Sequence, residues 1–170
     1  LIESDRLAGV RDNGNDWWFS QKHKAFGGNV QFLAAPDGAP HGASPARRAW
    51  GRVSDVEPGS VPDITAARIH ALPALYKAAA DGLPALADKG YIGAGIGILV
   101  PVRRPNNQSE QALCTDTRAF NTLVRSVRAL GERTAAELKQ RWRTLQHITL
   151  SPSRIGDNAR AALVLNGIWK

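Results

Sequence analysis

Between about Asp116 and Leu145, apolar residues recur at Phe120, Val124, Val127, Leu130, Leu138, Trp142 and Leu145, in steps of three, four or multiples of these. That period belongs to a helix with one stripe turned to a core. A helix this long has to lie on an apolar surface, and the sequence upstream supplies short strands for it. Leu83-Pro84-Ala85-Leu86-Ala87 and Ile98-Leu99-Val100-Pro101-Val102 are brief apolar runs, separated by the flexible Gly93-Ala94-Gly95-Ile96-Gly97. Both read as buried strands. Asn29 to Ala34 alternates polar and apolar residues until Pro36-Asp37-Gly38 turns the chain, as one arm of a hairpin would. The return arm is expected through Ala49 to Ser54, closed by Glu57-Pro58-Gly59.

The remaining segments complete the order. Leu1-Ile2 reads as the tail of a strand already under way, which makes the start an expected truncation point, and Asp12 to Asp16 reads as a loop. Pro62-Asp63 opens a helix with an apolar stripe of Ile64, Ile69, Leu72, Leu75 and Tyr76, interrupted at Pro73 and ended at Gly82. A last helix near Asp157 to Trp169, with Ala161, Leu163, Val164, Leu165 and Ile168, is expected to cover the sheet. Strands, helix, strands, long helix, helix: this is an α/β domain. With 170 residues, 43% of them hydrophobic, one compact core is expected over residues 1–170.

Charge narrows the partners. Lys and Arg number 22 against 15 Asp and Glu, a formal net charge of +7, which favours polyanions because basic side chains release counterions from a phosphate backbone. A merely basic protein fits that number equally well. The single cysteine, Cys114, forms no internal disulfide, and one thiol with four scattered histidines gives no zinc spacing. No apolar run approaches the ~18 residues of a membrane span, and the first residues carry no signal-peptide pattern, so a cytoplasmic location is expected.

Three acids fall at element ends that face one way: Asp63 at a helix start, Asp88 where a short strand ends, and Glu132 on the long helix. Glu132 shares its helix face with Arg125, Arg128 and Lys139, at i, i+3, i+7 and i+14 counted from Arg125. Cutting and joining phosphodiesters without a covalent intermediate uses two divalent ions about 3.5–4 Å apart. Hard ions such as Mg²⁺ take oxygen ligands from a few carboxylates and keep several waters. Each acid also has a plainer reading: Asp63 as a residue favoured by the helix dipole, Asp88 as a turn residue, Glu132 as part of a solvated charged face. Lys22-His23-Lys24 is either a solvated edge or a rim that contacts phosphate. Trp142, between Arg141 and Arg143, belongs to the apolar seam and leaves both arginines exposed.

Several segments, in order, resemble a known family. Phe19-Ser20-Gln21-Lys22-His23-Lys24, Asn29-Val30-Gln31, Pro36-Asp37-Gly38 and Pro58-Gly59-Ser60-Val61-Pro62-Asp63-Ile64-Thr65-Ala66-Ala67-Arg68 are similar to the DDE superfamily endonuclease domain of Harbinger-like and related bacterial insertion-sequence transposases. Leu86-Ala87-Asp88-Lys89-Gly90-Tyr91 resembles that family's second-acid motif. Leu130-Gly131-Glu132-Arg133 with Leu138-Lys139 resembles its glutamate helix.

The resemblance implies a ribonuclease-H-like mixed sheet flanked by helices, with Asp88 and Glu132 as catalytic metal ligands and Asp63 as a further metal-binding acid. It implies Mg²⁺ or Mn²⁺ as cofactor and double-stranded DNA, both transposon ends and target, as partner. It also implies homo-oligomeric assembly on paired ends and action at the bacterial nucleoid. Lys139 is implied to contact DNA phosphate, with Lys22, Lys24, Arg125 and Arg128 as further DNA-binding candidates on the basic faces. Two departures stand out. The family's first aspartate, in an Asp-Gly-Thr segment, falls just before Leu1, and the nearby Asp5 lies several residues downstream in register. Pro62 and Gln21 stand where His and Gly are expected. The reading that follows is a transposase catalytic domain, with a DNA-binding remnant that lacks one carboxylate of the metal cage as its alternative.

Overall fold

The computed structural model describes residues 1–6, 11–12, 14–34, 53–104, 113–149 and 151–168. The Pro36-Asp37-Gly38 turn, most of the expected return arm, the linker from Pro105 and the end of the last helix at Trp169 lie outside the described residues.

The principal sheet is built on β1 (Ile2–Ser4), which pairs antiparallel with β5 (Ala25–Asn29), Ile2 opposite Gly28 and Glu3 opposite Gly27. β4 (Phe19–Ser20) and β6 (Glu57–Pro58) also pair antiparallel with β5. β9 (His147–Ile148) pairs with β1 in parallel. Arg11–Asp12 and Asn15–Asp16 form β2 and β3 of a small hairpin around Gly14, where a simple loop was expected. β7 (Ala85–Leu86) and β8 (Ile98–Leu99) make a parallel pair of their own. A mixed sheet with helices on its flanks is the arrangement of a ribonuclease-H-like α/β fold.

Two glycines explain how tightly the strands sit. A Cβ on Gly27 would run into the Ile2 carbonyl, and one on Gly28 would strike the Val56 and Ile155 side chains. The hydrophobic alternation after Asn29 therefore marks only the end of this strand, whose body is the Ala25–Asn29 segment with its two central glycines. Ladder contact continues past it in looser form, with the Gln31 carbonyl accepting from the Ser54 amide at 3.1 Å. Glu57-Pro58, expected as a closing turn, is the partner strand itself.

The helices fall where the sequence puts them, but Ile69 and Tyr76 of the expected apolar stripe are exposed. α1 (Asp63–His70) and α2 (Leu72–Ala80) are separated at Ala71, and Pro73 occupies the first turn of α2, where its missing N–H costs nothing. α3 (Thr115–Arg141) stops short of the expected Leu145, which lies on the 3-10 turn Arg143–Leu145 leading into β9. α4 (Ile155–Ile168) buries Ile155, Ala159 and Ala162, at i, i+4 and i+7. Ala161, Val164 and Leu165, expected to face the sheet, are exposed. The apolar run there is wider than its stripe, and small alanines occupy the buried face, clustered with Leu138 and Leu145.

Two apolar clusters result. Val53, Leu138, Leu145, Ala159 and Ala162 pack with Ile2, Val30, Phe32 and Trp142 between the principal sheet and the C-terminal helices. Ala67, Ala71, Leu72, Ala94 and Ile98 pack with Leu75, Tyr91 and Val100 around α1, α2 and the β7–β8 pair. Trp142 thus joins the core as its place in the seam required, and Arg141 and Arg143 are exposed.

Candidate active site

Asp63 is the first residue of α1, and its carboxylate is addressed from the sheet. Asn29, at the end of β5, donates its Nδ2 to Oδ1 at 2.7 Å and also to the Val61 carbonyl at 3.3 Å. Lys22, in the turn between β4 and β5, places Nζ 2.8 Å from Oδ2. Burial alone would raise this carboxyl, but the hydrogen bond and charge of Lys22, with the Asn29 amide, outweigh it and hold Asp63 below the usual carboxylate range. These groups line a cleft of about 620 Å³ with Leu1, His23, Ser60 and Gly90. Lys139, on α3, reaches the same corner by donating from Nζ to the Leu1 carbonyl at 3.4 Å.

Asp88 lies where β7 ends and caps the 3-10 turn Lys89–Tyr91, its Oδ1 accepting from the Lys89 amide at 2.6 Å. The same Oδ1 is 3.4 Å from Nη1 of Arg128 on α3. The other terminal nitrogen of that guanidinium, Nη2, is bonded to Glu132 Oε1 one helical turn on. Asp88 and Glu132, from separate elements, thus converge on a single cation, and both line a second cleft of about 530 Å³. Their side chains are 57% and 61% exposed, while that of Arg128 is only 20% exposed.

The two clefts share a wall. From Asp63 the polar chain continues through Asn29 to Gln31, whose Nε2 donates to Asn29 Oδ1 at 3.2 Å, and on to Tyr91, whose hydroxyl donates to Gln31 Oε1 at 2.7 Å. Asn29 and Gln31 are both buried. Burial, with the nearby negative charge of Asp63 and Asp88, pushes the Tyr91 phenol up to about 12. Sequence reasoning singled out both motifs but missed this relay. The signal lay in the two-residue spacing of Asn29 and Gln31, which puts both polar side chains on one face of an extended segment.

The other candidates distribute as follows. Lys24 is exposed, with Nζ donating to Gln21 at 3.2 Å, and Arg125 directs Nε to the Asn121 carbonyl of its own helix at 3.1 Å. Asp5 is bonded to His147 at 2.7 Å and lines neither cleft. Among the described residues, no group of three or more His, Cys, Asp or Glu could hold a metal ion. Asp88 and Glu132 are of the ligand type a hard divalent ion takes, two exposed carboxylates on either side of one guanidinium, and such an ion would complete its shell with waters and substrate phosphate. Asp63 opens on the neighbouring cleft. No described helix is long and apolar enough to cross a membrane.

A family model described as DDE superfamily endonuclease matches residues 7–166, nearly the whole chain. No curated protein and no solved structure matches it.

Proposed function

The chain belongs to the DDE superfamily endonuclease family, transposase-like nucleases that act on DNA and generally depend on divalent metal, and on that premise we propose that it is a transposase catalytic domain that cuts and joins DNA strands. The observation that carries the reading is the convergence of Asp88 and Glu132, from two separate elements, on one cationic point. Asp88 and Glu132 are the ligands of a Mg²⁺ or Mn²⁺ ion, with Asp63 supplying a further carboxylate across the shared wall. When bound, such ions neutralise charge at the scissile phosphate and activate the attacking oxygen. Lys22, Lys139 and Arg128 bind backbone phosphate and orient the DNA over the two clefts, with Lys24 and Arg125 extending the basic track. The Tyr91 phenol, with its proton held well above neutrality, serves as a fixed donor and takes no part as a base.

A second reading is a domain that binds DNA without cutting. It is favoured by one observation: Asp63 lines a different cleft from Asp88 and Glu132, and its carboxylate is already engaged by Lys22 and Asn29. Nicking of supercoiled DNA with Mg²⁺ or Mn²⁺ separates the two. The catalytic reading expects nicking that Glu132→Ala abolishes while the variant, without added metal, retains DNA as the parent does. Retention with no nicking by either protein supports the binding-only reading, and nicking that survives Glu132→Ala overturns the assigned site.

A further inference from the structure

Arg128 has an unusual position for a helix-surface arginine. Its pairing with Glu132 at i, i+4 is of the ordinary helical kind. Its other terminal nitrogen reaches Asp88 on a different element, and its side chain is far less exposed than either acid. One guanidinium therefore stands between the two carboxylates assigned above to a divalent ion, with a separate nitrogen on each. Two carboxylates and one guanidinium leave a net charge of −1. A divalent ion entering between the same carboxylates brings the local sum to +1 if Arg128 stays, and the ion and the guanidinium then repel at close range. A phosphodiester carries the single negative charge that restores balance, and a guanidinium matches its paired oxygens in the way it matches carboxylates.

We propose that Arg128 has two alternating ligands, the Asp88–Glu132 pair in the free chain and a DNA phosphate in the loaded one, so that DNA and the divalent ion bind cooperatively at this site. The inference rests on the metal-site reading of Asp88 and Glu132. The nearest structural consequence is that the free protein holds its metal site shut with its own side chain, and substrate opens it. Because such coupling is reciprocal, duplex raises metal affinity by the same factor by which metal raises duplex affinity, on the order of tenfold.

The test is equilibrium binding of Mn²⁺, followed by the paramagnetic resonance signal of the free ion, with and without a short duplex, and with the uptake of duplex alone subtracted. The whole chain is compared with Arg128→Gln, Arg128→Lys and Glu132→Gln, each confirmed folded by its melting curve. The expected result is that duplex tightens Mn²⁺ binding about tenfold in the parent chain. Arg128→Gln is then already tight without duplex and gains little from it. Arg128→Lys, whose single ammonium cannot span two carboxylates, falls between, and gives the same reading should the glutamine variant not fold. If Glu132→Gln abolishes Mn²⁺ binding but duplex has no effect on the parent, or the Arg128 variants bind Mn²⁺ no tighter, the metal site stands and the alternating role of Arg128 is overturned. If Glu132→Gln binds Mn²⁺ as the parent does, the metal-site reading itself fails, and this inference with it.

Discussion

Asp63 and Asp88 occupy similar local positions, each at the start of a helical turn, and they are held in opposite ways. Asp63 is fixed by residues distant in the chain: Asn29 from the sheet, Lys22 from a turn, and behind them Gln31 and Tyr91 in a buried polar chain. Asp88 is fixed by its own neighbour, the Lys89 amide, and also meets Arg128, which it shares with Glu132. The first carboxylate is tied into tertiary structure, while the second pair is exposed. An exposed acid suits the metal loading proposed above. An acid that anchors the sheet to a helix has work to do in folding as well.

Substitutions sharpen that contrast. The largest loss of stability is expected for Asp63→Ala, which takes from the buried Asn29 amide its shorter hydrogen bond and leaves it only the Val61 carbonyl. A cost of about 1–3 kcal/mol, the usual penalty for an unsatisfied buried polar group, is the outcome to look for in urea denaturation. Tyr91→Phe removes one link of the relay and is expected to cost about 0.5–1.5 kcal/mol in the same measurement. Asp88→Ala and Glu132→Ala, at exposed positions, are expected to change stability by less than about 0.5 kcal/mol while abolishing Mn²⁺ binding. Equal destabilisation by Asp63→Ala and Glu132→Ala would erase the distinction.

Two pH effects sharpen it further. The Asp63 carboxyl is lower in the folded chain than in the unfolded one, so the stability it contributes is present above the ordinary carboxylate range. It is lost as pH falls through the depressed folded value. The acid limb of a stability–pH curve should therefore flatten in Asp63→Asn. Tyr91 has the opposite sense. Its phenol is raised to about 12, so its contribution is complete below the unfolded tyrosine range and fades as pH climbs toward that value. Ultraviolet titration of tyrosinate should show one late-ionising group that Tyr91→Phe removes.

Much of this was legible in the sequence because the signals were local. The break between α1 and α2 follows from Pro73, the placement of Asp63 and Asp88 from the turns beside them, and the α3 seam from its period. The matching motifs then fixed the family. What escaped was set by contacts between distant segments. Ala25–Asn29 is a strand because its glycines admit close neighbours, a property that no alternation of hydrophobicity reveals. His147–Ile148 is too short to announce itself and becomes a strand only because β1 is there to receive it. The buried face of α4 is set by what packs on it, Leu138 and Leu145 among them, and for that reason alanines were passed over in favour of larger residues that face outward. Among the candidate acids, residue type and placement were readable. The Arg128–Glu132 pair was also within reach, four residues apart on one helix face, but the cations of Asp63 and Asp88 were not, since Lys22 and Arg128 come to them only in three dimensions.

The pairing of β1 with β9 also bears on how the molecule is made. Glu3 and Ser4 lie beside His147 and Ile148, so β1 meets this neighbour only after every element between them has been synthesised. Until then its outer edge presents unpaired backbone groups that any other extended peptide could take up, and closing so large a loop delays the correct partner. The interval between synthesis of these two strands is the period in which a nascent chain of this design depends most on whatever shields it from its neighbours.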